Sequence, residues 1–149
     1  MKKYLILKII LGLIIAIQLI RPDKNSTNQS TDNDILQDGN VSLEVKEILN
    51  NSCIDCHSNN TNYPWYNQIA PVSWIIANHV NEGKEHLNFS EWLGYNENQK
   101  VHLLEDIEEV LEENKMPLKS YLLMHNEGEI THQERQYLLE WIALEKLKN

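Results

Sequence analysis

An all-α domain of three to five helices, separated by long irregular loops and placed behind a single N-terminal membrane helix, is the fold class that this sequence predicts. Three observations lead there. Residues 4–20 are apolar except for Lys8, Gly12 and Gln18. From Val41 onward apolar residues recur at helical spacing, and no convincing run of alternating polar and apolar residues appears. The total of 149 residues is one domain's length, and setting aside the first 40 leaves enough chain to bury one modest core.

The elements follow in chain order. The apolar run is preceded by Lys2 and Lys3 and followed by Arg21. At 1.5 Å per residue it reaches roughly 25 Å, slightly short of a bilayer core of about 30 Å. Local thinning, or snorkelling by Lys8, makes up the difference, so residues 1–20 are expected to form an uncleaved signal anchor. A cleaved secretory signal shares the charged start and apolar middle. It also needs a small-x-small site, and none precedes Arg21 and Pro22. Positive charge at the N-terminus predicts that the remainder is exported. Residues 21–40 contain only Ile35 and Leu36 as large apolar groups, which predicts a flexible linker.

Residues 41–149 are expected to fold. Ser42 is an N-cap for a helix to about Asn51, with Val45, Ile48 and Leu49 on one face. Pro71 opens a helix through Trp74, Ile75, Ile76 and Val80, with Gly83 as its terminator. From about Asn98 to Asn114, Leu103, Leu104, Ile107, Val110 and Leu111 recur at helical spacing, and Glu105, Asp106, Glu108, Glu109, Glu112 and Glu113 fill the other face. Thr131 and Glu134 form a capping box for a last helix with Leu138, Trp141 and Ile142 inside. Residues 57–71 and 114–130 read as loops long enough to need something to pack on.

Charge and cysteine content narrow the function. Residues 41–149 hold 8 basic against 18 acidic residues, a formal charge of −10. Nucleic-acid binding requires the opposite sign. Two cysteines permit at most one disulfide, so this is no disulfide-built scaffold. Nothing in the sequence identifies a small-molecule substrate, and no enzyme activity is expected.

Residues 53–57 read Cys53-Ile54-Asp55-Cys56-His57. That spacing is the attachment signature of c-type haem. Two sulfurs two residues apart reach the two vinyl groups of one porphyrin edge, and the next residue lies beneath the ring as a proximal imidazole. Three other readings stay open on spacing alone. A thioredoxin-type redox pair would follow a strand. A structural zinc site would draw a fourth ligand from His79, His86, His102, His125 or His132. A buried disulfide would leave His57 without a role.

The stretch from Cys53 through Tyr63-Pro64-Trp65-Tyr66, with Ile69 to Trp74, His79 to Gly83 and Leu87 to Trp92, resembles the haem-binding domain family of Bacteroidetes-type bacteria. Met116-Pro-Leu-Lys-Ser-Tyr121 and Trp141 fit the same pattern, so the resemblance covers nearly all of residues 41–149. It implies a small class I cytochrome c-like domain, its loops wrapped around one covalently attached haem c. A Met-Pro pair at this relative place supplies the distal ligand in small class I cytochromes, so the resemblance points to Met116 as the sixth ligand opposite His57. His125, Met124, His79 and an open site are the alternatives. Tyr63 and Trp65 are candidates to bury the porphyrin or to hydrogen-bond a propionate. Pro71 is the candidate whose carbonyl takes the proximal imidazole N–H.

The expected function is electron transfer in the periplasm by a monohaem cytochrome held in the inner membrane by a single pass. A partner with a basic face would be steered by the acid row of residues 105–113. The alternative is a haem-based gas or redox sensor with a displaceable sixth ligand. A peroxidase-like enzyme would want a distal His or Arg, and Arg135 is the one arginine of residues 41–149.

Overall fold

The computed structural model describes residues 2–27 and 32–148. Seven α-helices follow one another among them: α1 (Lys2–Ile17), α2 (Leu43–Ser52), α3 (Ile54–His57), α4 (Val72–His86), α5 (Glu97–Glu112), α6 (Lys119–Leu122) and α7 (His132–Lys148). The fold is all-α as expected, and the described residues contain no strand beyond one isolated antiparallel bridge between Ser26 and Asn60. Two of the helices, α3 and α6, are single turns too short to show a periodicity.

The caps carry most of the local specification. The Ser42 hydroxyl accepts from the Val45 N–H at 3.3 Å and opens α2. In α5, which starts one residue earlier than expected, Asn96 and Gln99 form a reciprocal capping box. That helix ends with Asn114 at φ 54°, the left-handed conformation that asparagine tolerates. Lys115 N–H then reaches the Val110 carbonyl and Asn114 N–H the Leu111 carbonyl, a Schellman closure. Arg135 of α7 donates to the same Leu111 carbonyl and to Asn114 Oδ1, so this arginine caps α5. Thr131 and Glu134 bond each other reciprocally at the start of α7.

The core lies where α2, α5 and α7 meet the 3₁₀ segment Phe89–Gly94. Trp92 is at its centre, with ring centroids 6.0 Å from Phe89, 5.8 Å from Trp141 and 6.4 Å from Tyr95. Val45, Ile48, Leu49, Leu104, Leu138 and Ile142 close around these rings.

The first 40 residues differ from the expected picture in two respects. The N-terminal helix forms, but it stops at Ile17, and no helix among the described residues is long and apolar enough to cross a membrane. None of its side chains is buried, and Ile17 alone is half-buried. The expected linker is docked at Asn25 and again at Asp34 and Ile35; residues 28–31 lie outside the described residues. Asn25 donates to the Ser58 carbonyl at 2.7 Å and to Thr61 Oγ1 at 2.9 Å, and its own Oδ1 accepts from Lys84 Nζ at 2.6 Å. Farther along, Ile35 is fully buried in the core and Asp34 accepts from Ser90 Oγ. Composition predicted freedom because it counts apolar area; the first half of this strap is held by polar bonds.

Candidate functional site

Three elements build the site around residues 53–57. Cys53 closes α2, its N–H on the Leu49 carbonyl, and also opens α3, with His57 N–H on the Cys53 carbonyl at 3.0 Å. The motif is therefore one helical turn. Cys53 and Cys56 stand three residues apart on it, on one side of the turn, and His57 follows at the next position.

Helix α4 presses directly on this turn. Gly83 is not its terminator: the helix continues to His86. A Cβ at residue 83 would stand 2.7 Å from the Cys56 carbonyl oxygen, closer than real side chains come. The glycine is there for close approach. Past the end of α4, the Leu87 carbonyl lies 3.2 Å from His57 Nδ1. A carbonyl can only accept, so Nδ1 carries the proton and Nε2 holds the ring's lone pair. The carbonyl expected of Pro71 serves elsewhere, accepting from Trp74 and Ile75 N–H in the first turn of α4. Phe89 meets the His57 ring edge-on at 6.4 Å. Burial holds the His57 imidazole below its ordinary value, which favours the neutral ring.

Both cysteines are free and half-buried. Burial, with Cys56 beside it, pushes the Cys53 thiol up to about 12, and burial with the Asp55 carboxylate pushes Cys56 up to about 11. Redox-active Cys-x-x-Cys pairs need the opposite shift.

Asp55, between the cysteines, ties the turn to its surroundings. Its carboxylate accepts from Asn62 N–H at 3.1 Å and from the Tyr121 hydroxyl at 3.0 Å, and its carbonyl accepts from Thr61 Oγ1 at 2.7 Å. Tyr121 stacks on His125 with centroids 4.3 Å apart, and Tyr66 meets His125 Nε2 at 2.8 Å. His125 Nδ1 faces Glu127 at 3.2 Å, so both of its ring nitrogens are engaged.

Of the residues singled out in the sequence, Cys53, Cys56 and His57 share one turn. Tyr63 is half-buried, but its hydroxyl accepts from Asn25 N–H at 2.8 Å, which commits it to the strap. Trp65 is 73% exposed and Pro71 is exposed too. Met116 is half-buried on the loop after α5, five residues before the Tyr121 that returns to Asp55. Met124 is exposed, and His79 sits half-buried on α4. Sequence reasoning missed Leu87, Asp55 and Asn25. A backbone carbonyl leaves no side-chain signal, but the placement of Asp55 inside the motif was visible.

Two thiols and a neutral imidazole offered from one turn, with Nδ1 directed at the Leu87 carbonyl, are a donor set that suits haem. This helical fold and this turn define a haem-binding protein. A model of the haem-binding domain family matches residues 12–144, and the chain belongs to that family. Neither a search of curated proteins nor one of solved structures finds a match.

Proposed function

We propose that the chain is a monohaem c-type cytochrome, class I cytochrome c-like in organisation, that passes single electrons between proteins in the periplasm and is kept at a membrane by α1. The observation that carries this reading is the 3.2 Å contact of His57 Nδ1 with the Leu87 carbonyl beside two free thiols. Haem, when bound, supplies a one-electron iron couple. Cys53 and Cys56 would each add S–H across a vinyl group, forming two thioethers and locking the ring edge to α3. The Leu87 carbonyl orients the imidazole, and Gly83 keeps α4 close enough to hold that carbonyl in place.

Met116 is the sixth ligand in this reading. His125 has both ring nitrogens bonded, while Met116 is half-buried on a loop that Tyr121 ties back to the motif. A thioether favours ferrous iron and raises the potential. The exposed acids of α5, among them Glu105, Asp106 and Glu112, suit a partner with a basic face.

The test is an absorption spectrum of protein matured in a host with cytochrome c assembly, oxidised and reduced, with and without CO. The wild type should show the weak near-infrared sulfur-to-iron band and bind CO slowly. Met116→Ala should lose the band and bind CO rapidly, and Cys53→Ala with Cys56→Ala should abolish covalent haem. Rapid CO binding by the wild type would establish the sensor reading instead.

A further inference from the structure

We infer that the haem domain does not swing free of α1 but sits on the lipid surface through an apolar collar formed by Leu19, Ile20, Trp65, Ile69, Val72 and Ile75. The inference rests on the reading of α1 as a membrane anchor. All six side chains are exposed, Leu19 by 85% and Trp65 by 73%. They belong to three segments bonded to one another. Gln18 donates to the Ala70 carbonyl at 3.1 Å and accepts from Ala70 N–H at 3.0 Å, and Trp74 Nε1 donates to the Ile20 carbonyl at 2.8 Å. The end of α1 is thus clamped to the start of α4, in the neighbourhood of the collar.

What covers α1 identifies what covers the collar. Tyr4, Leu5, Ile6, Leu7, Ile9 and Ile10, on consecutive positions around the helix, are all about half exposed or more. A protein groove covers one stripe of a helix; only a solvent that surrounds it covers every side, and for apolar side chains that solvent is lipid. Because the clamp leaves no free joint, the collar enters the same medium where α1 leaves it. Trp65 has the amphipathic ring that prefers the bilayer interface. Arg21 and Lys24 line a small cleft with Asn67, Gln68 and Ser73 at the same junction. Two cations there stand at headgroup height, where anionic lipids attract them. The acidic helix α5 packs on α7 instead, away from the clamp. Seating the domain in this way fixes the height of the Cys53–His57 turn above the membrane, since α4 touches both.

The test uses the full haem-loaded chain in vesicles of phosphatidylcholine and phosphatidylglycerol. A photoreactive benzophenone side chain replaces Ile10, Trp65, Ile75 or, as control, Glu109, all exposed positions whose replacement leaves the core intact. Lipid adducts are expected at 10, 65 and 75, several-fold above the level at 109. Adducts at 10 alone overturn the collar and leave the anchor standing. No adduct at 10 means that the anchor reading itself fails. Equal labelling at 65, 75 and 109 overturns the collar, as do cross-links at 65 or 75 to a second copy of the chain.

Discussion

Gly83 shows how one missing methyl group shapes the site. In a helix interior, Gly→Ala ordinarily gains about 1 kcal/mol of helix propensity. Here the new Cβ would meet the Cys56 carbonyl oxygen at 2.7 Å, and neither partner is the end of a flexible side chain. Overpacking of this kind costs about 1–3 kcal/mol, so the contact outweighs the propensity gain. Gly83→Ala should therefore lower the melting temperature and, by moving α4 and the Leu87 carbonyl away from His57, reduce the haem-to-protein ratio. Both are read directly, one by thermal unfolding and one by the haem absorbance per protein. An alanine variant more stable than wild type would mean that α4 yields freely, and that the close approach is incidental. The same residue shows a limit of sequence reading. A glycine near the end of a periodic stretch is equally the sign of a C-cap and of a close contact, and only the partner across the contact, 27 residues earlier in the chain, distinguishes them.

At the scale of elements, legibility followed the caps and periodicities. Helices α2 and α7 were readable because Ser42 and Thr131 stand where N-caps stand and the apolar stripe behind each has a period near 3.6. The single turns α3 and α6 were not, and the site is built on α3. Its helical state comes from being wedged between α2 and α4, which no local propensity records. The box at the start of α7 makes a quantitative prediction. Hydrogen bonds from the Thr131 side chain and then from its backbone hold the Glu134 carboxyl below the ordinary carboxylate range. A depressed folded value means that the contribution is fully present above the unfolded value near 4.5 and is lost as pH falls through the folded one. Thr131→Ala should cost about 1 kcal/mol at neutral pH, the usual loss of an N-cap side chain. Melts at pH 7 and near pH 3 should show the difference between variant and wild type shrinking on acidification. A difference independent of pH would assign the cost to the hydroxyl alone.

The whole molecule is organised around a strap that crosses from α1 to the core and passes the site on its way. The small core is real, but Ile35 of the strap joins it and Trp92 and its neighbours complete it with protein side chains; the loop of residues 57–71 packs on the strap, while Tyr121 ties residues 114–130 to Asp55. The loop of residues 57–71 is held at Ser58, Thr61 and Tyr63, all by Asn25, while Lys84 joins the same residue from α4. One asparagine thus fastens the strap to both walls of the Cys53–His57 turn. Asn25→Ala removes the three side-chain bonds and keeps the two backbone bonds, to the Tyr63 hydroxyl and from Thr61 N–H. At about 0.5–1.5 kcal/mol net for each bond, the strap should lose about 1.5–4.5 kcal/mol of local stability, a change of about ten-fold or more in its opening equilibrium. Trp92, Trp141 and the helix caps are untouched, so global unfolding should shift much less than local opening. Limited proteolysis of the full chain measures the first, as the rate of cleavage within residues 21–34, and thermal unfolding measures the second. Cleavage should accelerate by about ten-fold or more in the variant with haem content retained. If wild type and variant are cut at the same rate, the strap opens without regard to Asn25 and the expectation of a free linker is restored. If the variant instead unfolds as a whole, strap and core form one cooperative unit, and residues 21–27 belong to the domain as fully as any helix.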